Sequence, residues 1–168
     1  VVATGEGRDQ LGARHPRLDD LVNESARRGH ERVGELLAKV GDQPRPITKN
    51  HRAFRVLVRN AMFRRVELAA LRRWIDLGEL DAGSGWDADR WQEALEAYYA
   101  EHDSIGTHGD ARGPKMFQVE EQPGRWLVRQ VVDDPEGDHD WGITAEVDLA
   151  ASDELGEAVI HLTGFEAL

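Results

Sequence analysis

Apolar residues in the first quarter of the chain recur at helical spacing, at Leu18, Leu21, Val22, Val33, Leu36, Leu37 and Val40. The sequence GDQPRP over residues 41–46 ends this pattern, because each proline lacks an amide proton and forces the residue before it into extended geometry. The break predicts a variable helical lead-in or linker over residues 1–43. It also predicts a separate folded unit over residues 44–168.

The pattern that follows predicts two further helices. The first covers residues 51–77, with Asn50 as its N-cap and Gly78 beyond its last turn. The second begins after Asp87, another residue type that caps helices, and ends near residue 100. A glycine-rich stretch then predicts a long connection to the rest of the chain.

The longer of these helices carries apolar residues on two opposite faces. One face has Phe54, Leu57, Val58, Ala61, Leu68 and Ile75, and the other has Val56, Phe63, Ala70 and Trp74. A helix at a protein surface usually shows one apolar stripe. We therefore expect this long, two-faced helix to be packed between two layers, with both apolar faces buried.

Beyond residue 115 the apolar residues alternate with polar ones, which indicates four strands at residues 116–121, 125–132, 141–149 and 157–163. The third is the clearest, because Trp141, Ile143, Ala145, Val147 and Leu149 all face one way. Polar connections join the strands, including residues 133–140 and 152–156. Sequential strands of this kind predict an antiparallel meander with one face on the helices. The predicted fold class is α+β, with helices first and a four-stranded sheet last.

Composition excludes several classes of protein. The 168-residue chain contains no cysteine, which rules out disulfides, thiolate zinc sites, iron–sulfur clusters and cysteine nucleophiles. Its apolar runs are far shorter than the roughly 20 residues of a membrane span. We therefore expect a soluble, cytoplasmic protein with no membrane partner.

The net charge of -11 hides a strong asymmetry along the chain. Residues 51–77 carry seven arginines against Glu67 and Asp76, a net of +5, whereas residues 78–168 carry a net of -17. An acidic protein repels nucleic acid as a whole, but a basic helix on an acidic body still attracts a phosphate locally.

Four arginines, Arg52, Arg55, Arg59 and Arg73, fall on one side of the predicted long helix. One interpretation is a row that contacts RNA or DNA, because guanidinium groups match the geometry of phosphate oxygens. The other is ion pairing within the chain, since the acidic segment supplies many carboxylates. On the first interpretation these four are the candidate nucleic-acid-binding residues.

Three further clusters of titratable residues are expected to be structural. Arg64, Arg65 and Glu67 are expected to form a packed ion-pair network. Residues 133–140 combine five carboxylates with a histidine, but they lack the spacing of a calcium-binding loop. Residues 101–103 and 105–113 contain histidines suited to acid–base chemistry, without a nucleophile or a phosphate-loop pattern. We expect no catalytic residue, no metal site and no cofactor.

Five segments carry a resemblance to a known family: residues 51–70 (HRAFRVLVRNAMFRRVELAA), 85–91 (GWDADRW), 111–114 (ARGP), 133–143 (DDPEGDHDWGI) and 145–154 (AEVDLAASDE). In this order they resemble the C-terminal domain of unknown function of bacterial, actinobacterial-type DEAD/DEAH-box helicases of superfamily 2. The resemblance covers residues 44–163, and the length of the blocks makes it specific.

The resemblance implies a parent protein with an ATP-driven RecA-like motor. This chain contains no Gly-Lys-Ser/Thr phosphate loop and no Asp-Glu-x-Asp/His box, so no motor residue is carried over to it. The implied function is a noncatalytic accessory domain that docks on the motor domains of the same parent chain or positions nucleic acid. The order of helices and meander is also similar to cystatin and nuclear-transport-factor-2-like folds.

A different class of function stays open. The chain is alternatively a stand-alone domain that binds a small ligand or acts as an enzyme, with its pocket between the helices and the sheet. Such a pocket needs convergent polar groups, whereas the inward residues of the third predicted strand are all apolar.

Overall fold

The computed structural model describes residues 46–167. Within this range the helices are α1 (His51–Ala70), α2 (Trp74–Asp81), α3 (Ala88–Glu101) and α4 (Leu149–Leu155). The strands are β1 (Phe117–Gln122), β2 (Arg125–Val131), β3 (Trp141–Asp148) and β4 (Val159–Ala167). Short 3₁₀ turns lie at Ile47–Lys49, Ala82–Ser84, Asp110–Arg112 and Pro114–Met116. The lead-in predicted over residues 1–43 lies outside the described residues, and its boundary stays a prediction.

The four strands form one antiparallel sheet in the order β1-β2-β3-β4. This confirms the predicted α+β class and the meander. The first hairpin closes at Gly124, whose φ of +80° is the left-handed geometry that a tight turn requires and that glycine adopts without strain.

One predicted connection is wrong. A polar connection was expected over residues 152–156 after a strand ending at residue 149, but residues 149–155 form α4. The Asp148 side chain accepts a hydrogen bond from the backbone N–H of Ala151 and caps this helix. The following strand consequently starts at Val159, two residues later than predicted, and continues to Ala167.

The helices cover one face of the sheet, and the core lies between the two layers. Phe54 of α1 meets Trp126 of β2 edge to face, with ring centroids 4.9 Å apart. Tyr98 of α3 contacts Trp141 and Phe165 at 5.9 and 6.0 Å. Each fully buried side chain of this size contributes about 1.5–3 kcal/mol to folding. Trp141, Ile143, Ala145 and Val147 of the predicted inward face are buried, whereas Leu149 lies in α4 and is half-buried.

The prediction of a single long helix is wrong. Helix α1 ends at Ala70 and α2 begins at Trp74, and between them Arg72 adopts a left-handed φ of 53°. The cause is a tertiary contact from α3. The Tyr99 hydroxyl donates a hydrogen bond to the backbone carbonyl of Ala69, and the Arg72 guanidinium lies 3.8 Å over the Tyr99 ring. These contacts stabilise the end of α1.

Gly78 lies inside α2 and does not end a helix as predicted. It is buried, and a Cβ atom at this position would lie 2.5 Å from the backbone nitrogen of Ala88. The absence of a side chain therefore allows α2 to approach the start of α3 closely.

The expectation of two buried apolar faces is also wrong. Phe54 and Phe63 are buried as predicted, but Leu57 is 46% exposed, Ile75 is 72% exposed and Trp74 is only half-buried. The Arg112 guanidinium covers Phe63, and Trp74 packs edge to face on Tyr99 of α3, whereas Leu57 and Ile75 stay largely open to solvent.

Arg65 is buried in an ion pair with a residue that the sequence did not suggest. Its Nε donates to both carboxylate oxygens of Asp81, at 3.0 and 3.1 Å, and the Arg65 Nη1 donates to the carbonyl of Ala61. Glu67 contacts Arg64 at 3.7 Å and Arg112 at 2.6 Å. The predicted packed network of Arg64, Arg65 and Glu67 is therefore wrong: the buried pair is Arg65 with Asp81, which ties α1 to α2, and Arg64 and Glu67 pair near the surface.

Candidate functional site

Helix α1 brings three of the four candidate arginines together. The helix starts where the Asn50 side chain accepts a hydrogen bond from the N–H of Ala53, and 3.6 residues per turn then place Arg52, Arg55 and Arg59 on one side. Arg52 and Arg55 are exposed, and Arg59 is half-buried. We call these three residues the arginine row.

The row forms one wall of a groove. This groove, which we call the arginine groove, has a volume of about 140 Å³ and is lined by Arg52, Arg55, Val56, Arg59, Pro114 and Phe117. The 3₁₀ turn Pro114–Met116 forms the opposite wall, and the Arg55 guanidinium lies 5.7 Å from the centre of the Phe117 ring. The Phe117 ring is itself buried, so the groove offers a partner the three guanidinium groups rather than an exposed aromatic face.

The arginine row does not pair with the acidic part of the chain. Within residues 46–167 none of the three guanidinium groups lies within 4.0 Å of a carboxylate. Other exposed arginines do pair, Arg112 with Glu67 and Arg125 with Glu146. Internal ion pairing therefore does not explain the row in the described part of the chain.

Arg73 does not join the row. It lies beyond the break between α1 and α2, and its guanidinium binds both carboxylate oxygens of Asp76 at 2.7 and 2.8 Å. Its expected place beside the others depended on a continuous helix, so the break removes it from the candidate site.

A small cavity adjoins the arginine groove. It has a volume of about 30 Å³ and is lined by Arg59, Asn60, Phe63, Arg112, Gly113, Phe117 and Gln130. Arg59 and Phe117 line both spaces. We call this space the Gln130 cavity, and it is large enough for about one water molecule.

Gln130 is 1% exposed and is only partly satisfied. Its Nε2 donates hydrogen bonds to the carbonyls of Met116 and Val131, at 3.0 and 3.1 Å. Its Oε1 has no hydrogen-bond partner among the described residues. A buried acceptor left in this state is unusual in folded proteins.

Neither Gln130 nor Arg112 was a candidate from the sequence. For Gln130 a signal existed: it follows Trp126 and Val128 at alternate positions of β2, so a polar side chain falls on the apolar face of the sheet. For Arg112 there was none, because its contact with Glu67 joins residues 45 positions apart.

The acidic loop over residues 133–140 folds around one of its own carboxylates. Asp134 accepts hydrogen bonds from the backbone N–H groups of Gly137, Asp138 and His139, at 2.6 to 3.0 Å. Burial acts to raise the pKa of Asp134, but the three N–H groups outweigh it and lower the pKa. Asp133 pairs with His139 at 2.8 Å.

The histidine of the 101–103 segment is tied to this loop. His102 is buried, and its Nδ1 lies 2.6 Å from Glu136 Oε2. The hydrogen bond to Glu136 raises the pKa of His102 against the effect of burial. The contact joins the end of α3 to the acidic loop.

His102, Asp134 and Glu136 are the described residues that come nearest to a metal-binding set, with one ligand atom of each within 4.8 Å of the others. Both Asp134 oxygens already accept backbone hydrogen bonds, and Glu136 is engaged by His102. The hydrogen bonds account for the cluster without an ion, and the expectation that no metal binds stays a prediction.

The pocket required by the alternative function would lie between the helices and the inner face of the sheet. Ile143, Ala145 and Val147 are buried there against the helices. A concavity of about 520 Å³ lies on the open face of the sheet and is lined by charged residues that include Glu120, Arg129, Glu146 and Glu166. No helix within residues 46–167 is long and apolar enough to cross a membrane.

Comparison with known proteins identifies one family. The model of the family described as "Domain of unknown function (DUF3516)" matches residues 18–165. No curated protein and no solved structure matches the chain. The match includes the arginine groove, the Gln130 cavity and the acidic loop, and it begins inside the segment predicted as a lead-in. The chain therefore belongs to the DUF3516 family, a domain of unknown function.

Proposed function

We propose that this chain is the noncatalytic C-terminal accessory domain of a bacterial, ATP-dependent DEAD/DEAH-box helicase, and that it positions a nucleic-acid strand with its arginine row. The observation that carries the proposal is the row itself: Arg52, Arg55 and Arg59 line one groove and have no ion-pair partner within residues 46–167.

Two of the segments that resemble helicase domains meet at this groove. Residues 51–70 supply the arginine row, and residues 111–114 supply Arg112 and Pro114 beside it. The resemblance and the groove therefore concern the same surface, which supports a shared function for both segments.

Guanidinium groups in a row suit a phosphate backbone better than a single anion. Each guanidinium offers a fork of N–H donors to phosphate oxygens, and such contacts fix a strand without reading its sequence. Three contacts give weak, sequence-independent binding, with a dissociation constant of about 10⁻⁴–10⁻⁶ M at physiological salt.

The acidic residues outside the arginine groove orient the domain relative to the nucleic-acid strand and the motor domains. The net of -17 over residues 78–168 disfavours nucleic acid on the acidic surfaces of the domain, which supports the arginine groove as the surface that attracts it. Glu120, Glu146 and Glu166 on the open face of the sheet suit a basic surface of the motor domains. In this role the domain acts in the cytoplasm, on a strand that the motor also holds.

The binding half of the proposal is tested by charge reversal. Arg55→Glu with Arg59→Glu should abolish binding of a fluorescein-labelled single strand by the full chain, measured by fluorescence anisotropy at low salt. The matched control is Arg73→Glu with Arg125→Glu, which changes the net charge equally at two exposed, ion-paired positions. Equal loss in both variants would mean that overall charge, not the row, determines binding.

The helicase half is tested in a parent protein. Deleting residues 44–168 from a helicase that carries them should change the nucleic-acid-stimulated ATPase rate or the affinity for the strand, while basal ATP binding persists. A truncated motor that is kinetically indistinguishable from the parent, together with a free domain that does not associate with it, would contradict the accessory role.

A further inference from the structure

The open face of the sheet carries carboxylates around an apolar centre. In the strand register, Leu127 of β2 lies opposite Glu120 of β1 and opposite Glu146 of β3. These three residues line the concavity of about 520 Å³ together with Glu166 and Arg129. Its charged lining residues, three glutamates and one arginine, sum to a net charge of -2. We call this surface the acidic concavity.

The two glutamates beside Leu127 are open to a partner. Glu120 accepts a hydrogen bond from the Gln122 amide at 2.8 Å, and Glu146 pairs with Arg125 at 3.1 Å. Glu120 is nevertheless exposed, and the Glu146 side chain is 39% exposed. Surface pairs of this kind contribute little free energy, so they leave the carboxylates available to further cations.

The exposed edge of α1 has the opposite charge and a matching spacing. Arg52 and Arg59 are seven residues apart, which is about 10.5 Å along the axis of a helix. Glu120 and Glu146 are two strand spacings apart, about 9.5 Å. A helix edge that crosses the strands therefore brings the first and last arginines of the row over the two glutamates.

The middle of the edge suits the middle of the concavity. Val56 lies between the ends of the arginine row and is 42% exposed, and Leu127 at the centre of the concavity is half-buried. The aliphatic stems of arginines also cover apolar surface while their charged ends reach carboxylates. In α1 no acidic residue precedes Glu67, so this part of the helix contains no charge that repels the concavity.

The edge of α1 and the acidic concavity cannot meet within one chain. Phe54 fixes α1 to the sheet through Trp126, which points to the helix-covered face. Leu127, the next residue of β2, points to the opposite face. The complementary surfaces can therefore contact each other only between separate copies.

We propose that copies of this chain associate head to tail, with the arginine row of one copy seated in the acidic concavity of the next. The two surfaces differ, so each docked copy keeps a free row or a free concavity and the assembly grows beyond a dimer. This association goes beyond the proposed function and requires no nucleic acid. A strand and a second copy compete for the same arginine row.

Sedimentation of the unmodified full chain over a range of protein concentrations tests the association. At 0.01 M salt, where charges act over about 30 Å, the weight-average mass should rise with concentration and pass that of two chains. At 1 M salt, where the range is about 3 Å, it should stay at that of one chain. A mass that does not rise at 0.01 M salt, or rises equally at both, would overturn the proposal.

Charge exchange locates the contact. Arg55→Glu with Arg59→Glu reverses the row, and Glu120→Arg with Glu146→Arg reverses the concavity. Each pair should lower the association constant at 0.01 M salt at least about tenfold. All four reversals in one chain restore the natural net charge of -11 and should restore the association. No loss in either pair, or no recovery in the fourfold variant, would contradict the contact.

Folding of each variant is checked by tryptophan fluorescence. If reversal at Glu146 unfolds the protein, Glu120→Arg with Glu166→Arg replaces that pair, because both positions are exposed. The salt series on the unmodified chain stands without any variant.

The two proposals fail separately. If the unmodified chain associates but binds no strand at low salt, the proposed function is wrong and the head-to-tail contact stands. If a strand binds and the chain stays monomeric at 0.01 M salt, only the association is wrong.

Discussion

Two charged clusters of the chain look similar in the sequence and differ in the structure. The arginine row and the acidic loop over residues 133–140 each concentrate charge of one sign within a short segment. In the loop, the backbone curves around Asp134 with Gly137 and His139 in left-handed geometry, so local N–H groups stabilise the charge of Asp134. In the row, the guanidinium groups of Arg52, Arg55 and Arg59 have no carboxylate within 4.0 Å among residues 46–167.

The difference shows what decides whether a charge cluster is available to a partner. From charge density alone, both segments are equally good candidates for a binding site. The structure separates them, because backbone N–H groups and histidines lie within hydrogen-bond distance of carboxylates in the loop. A cluster on a regular helix keeps its charge for an external partner unless another element approaches it.

The largest effect that tests this comparison is the removal of Asp134. Asp134→Ala should lower the free energy of unfolding by about 1.5–3 kcal/mol, because three N–H groups lose a charged acceptor. Urea denaturation followed by tryptophan fluorescence measures it. Asp138→Ala, in the same loop and exposed, is the control and should change stability by no more than about 0.5 kcal/mol. Equal effects would mean that the loop is not organised by Asp134.

The next effect is a dependence of stability on pH. The hydrogen bond with Glu136 raises the pKa of His102 in the folded state above its unfolded value of about 6.5. The stabilisation is therefore complete below that value and is lost as the pH rises through the folded pKa. Unfolding curves should be measured below about pH 6.5, the unfolded value, and above the folded pKa of His102. The natural chain should have the lower free energy of unfolding at the higher pH.

His102→Gln should remove most of that dependence. The variant cannot take up the proton, so its free energy of unfolding should change less between the two pH values than that of the natural chain. A variant with the same pH dependence would show that other groups cause it.

The smallest effect is expected in the arginine row. Arg52→Ala should change the free energy of unfolding by no more than about 0.5 kcal/mol, because the exposed guanidinium has no ion-pair partner within residues 46–167. The same denaturation experiment measures it. A larger loss would reveal an internal partner and weaken the case for an external one.

The sheet was predictable because its determinants are local. Alternation along β3 and the turn at Gly124 are visible in the sequence, and the strand bounds follow from them within a few residues. The end of α1 was not predictable. The residue with left-handed geometry at this break is Arg72, whereas a glycine there would have indicated the end of a helix in the sequence. The contacts that stabilise the break come from Tyr99 on another helix.

The candidate site was predictable in part for the same reason. Helical periodicity alone places Arg52, Arg55 and Arg59 on one side, whereas the position of Arg73 depended on the break that the sequence did not reveal. The opposite wall and the Gln130 cavity come from residues about 60 positions away, and no local pattern brings them to α1.

The most direct test of the central claim is the salt dependence of strand binding. For a single strand the logarithm of the binding constant falls with the logarithm of the salt concentration by about 0.7 for each phosphate neutralised. Three contacts from the arginine row predict a slope of about -2. In the Arg55→Ala and Arg59→Ala variant, which removes two contacts without adding negative charge, the residual binding should show a slope of about -0.7. No binding by the unmodified chain at low salt, or the same slope in both proteins, would contradict the claim that the arginine row holds the strand.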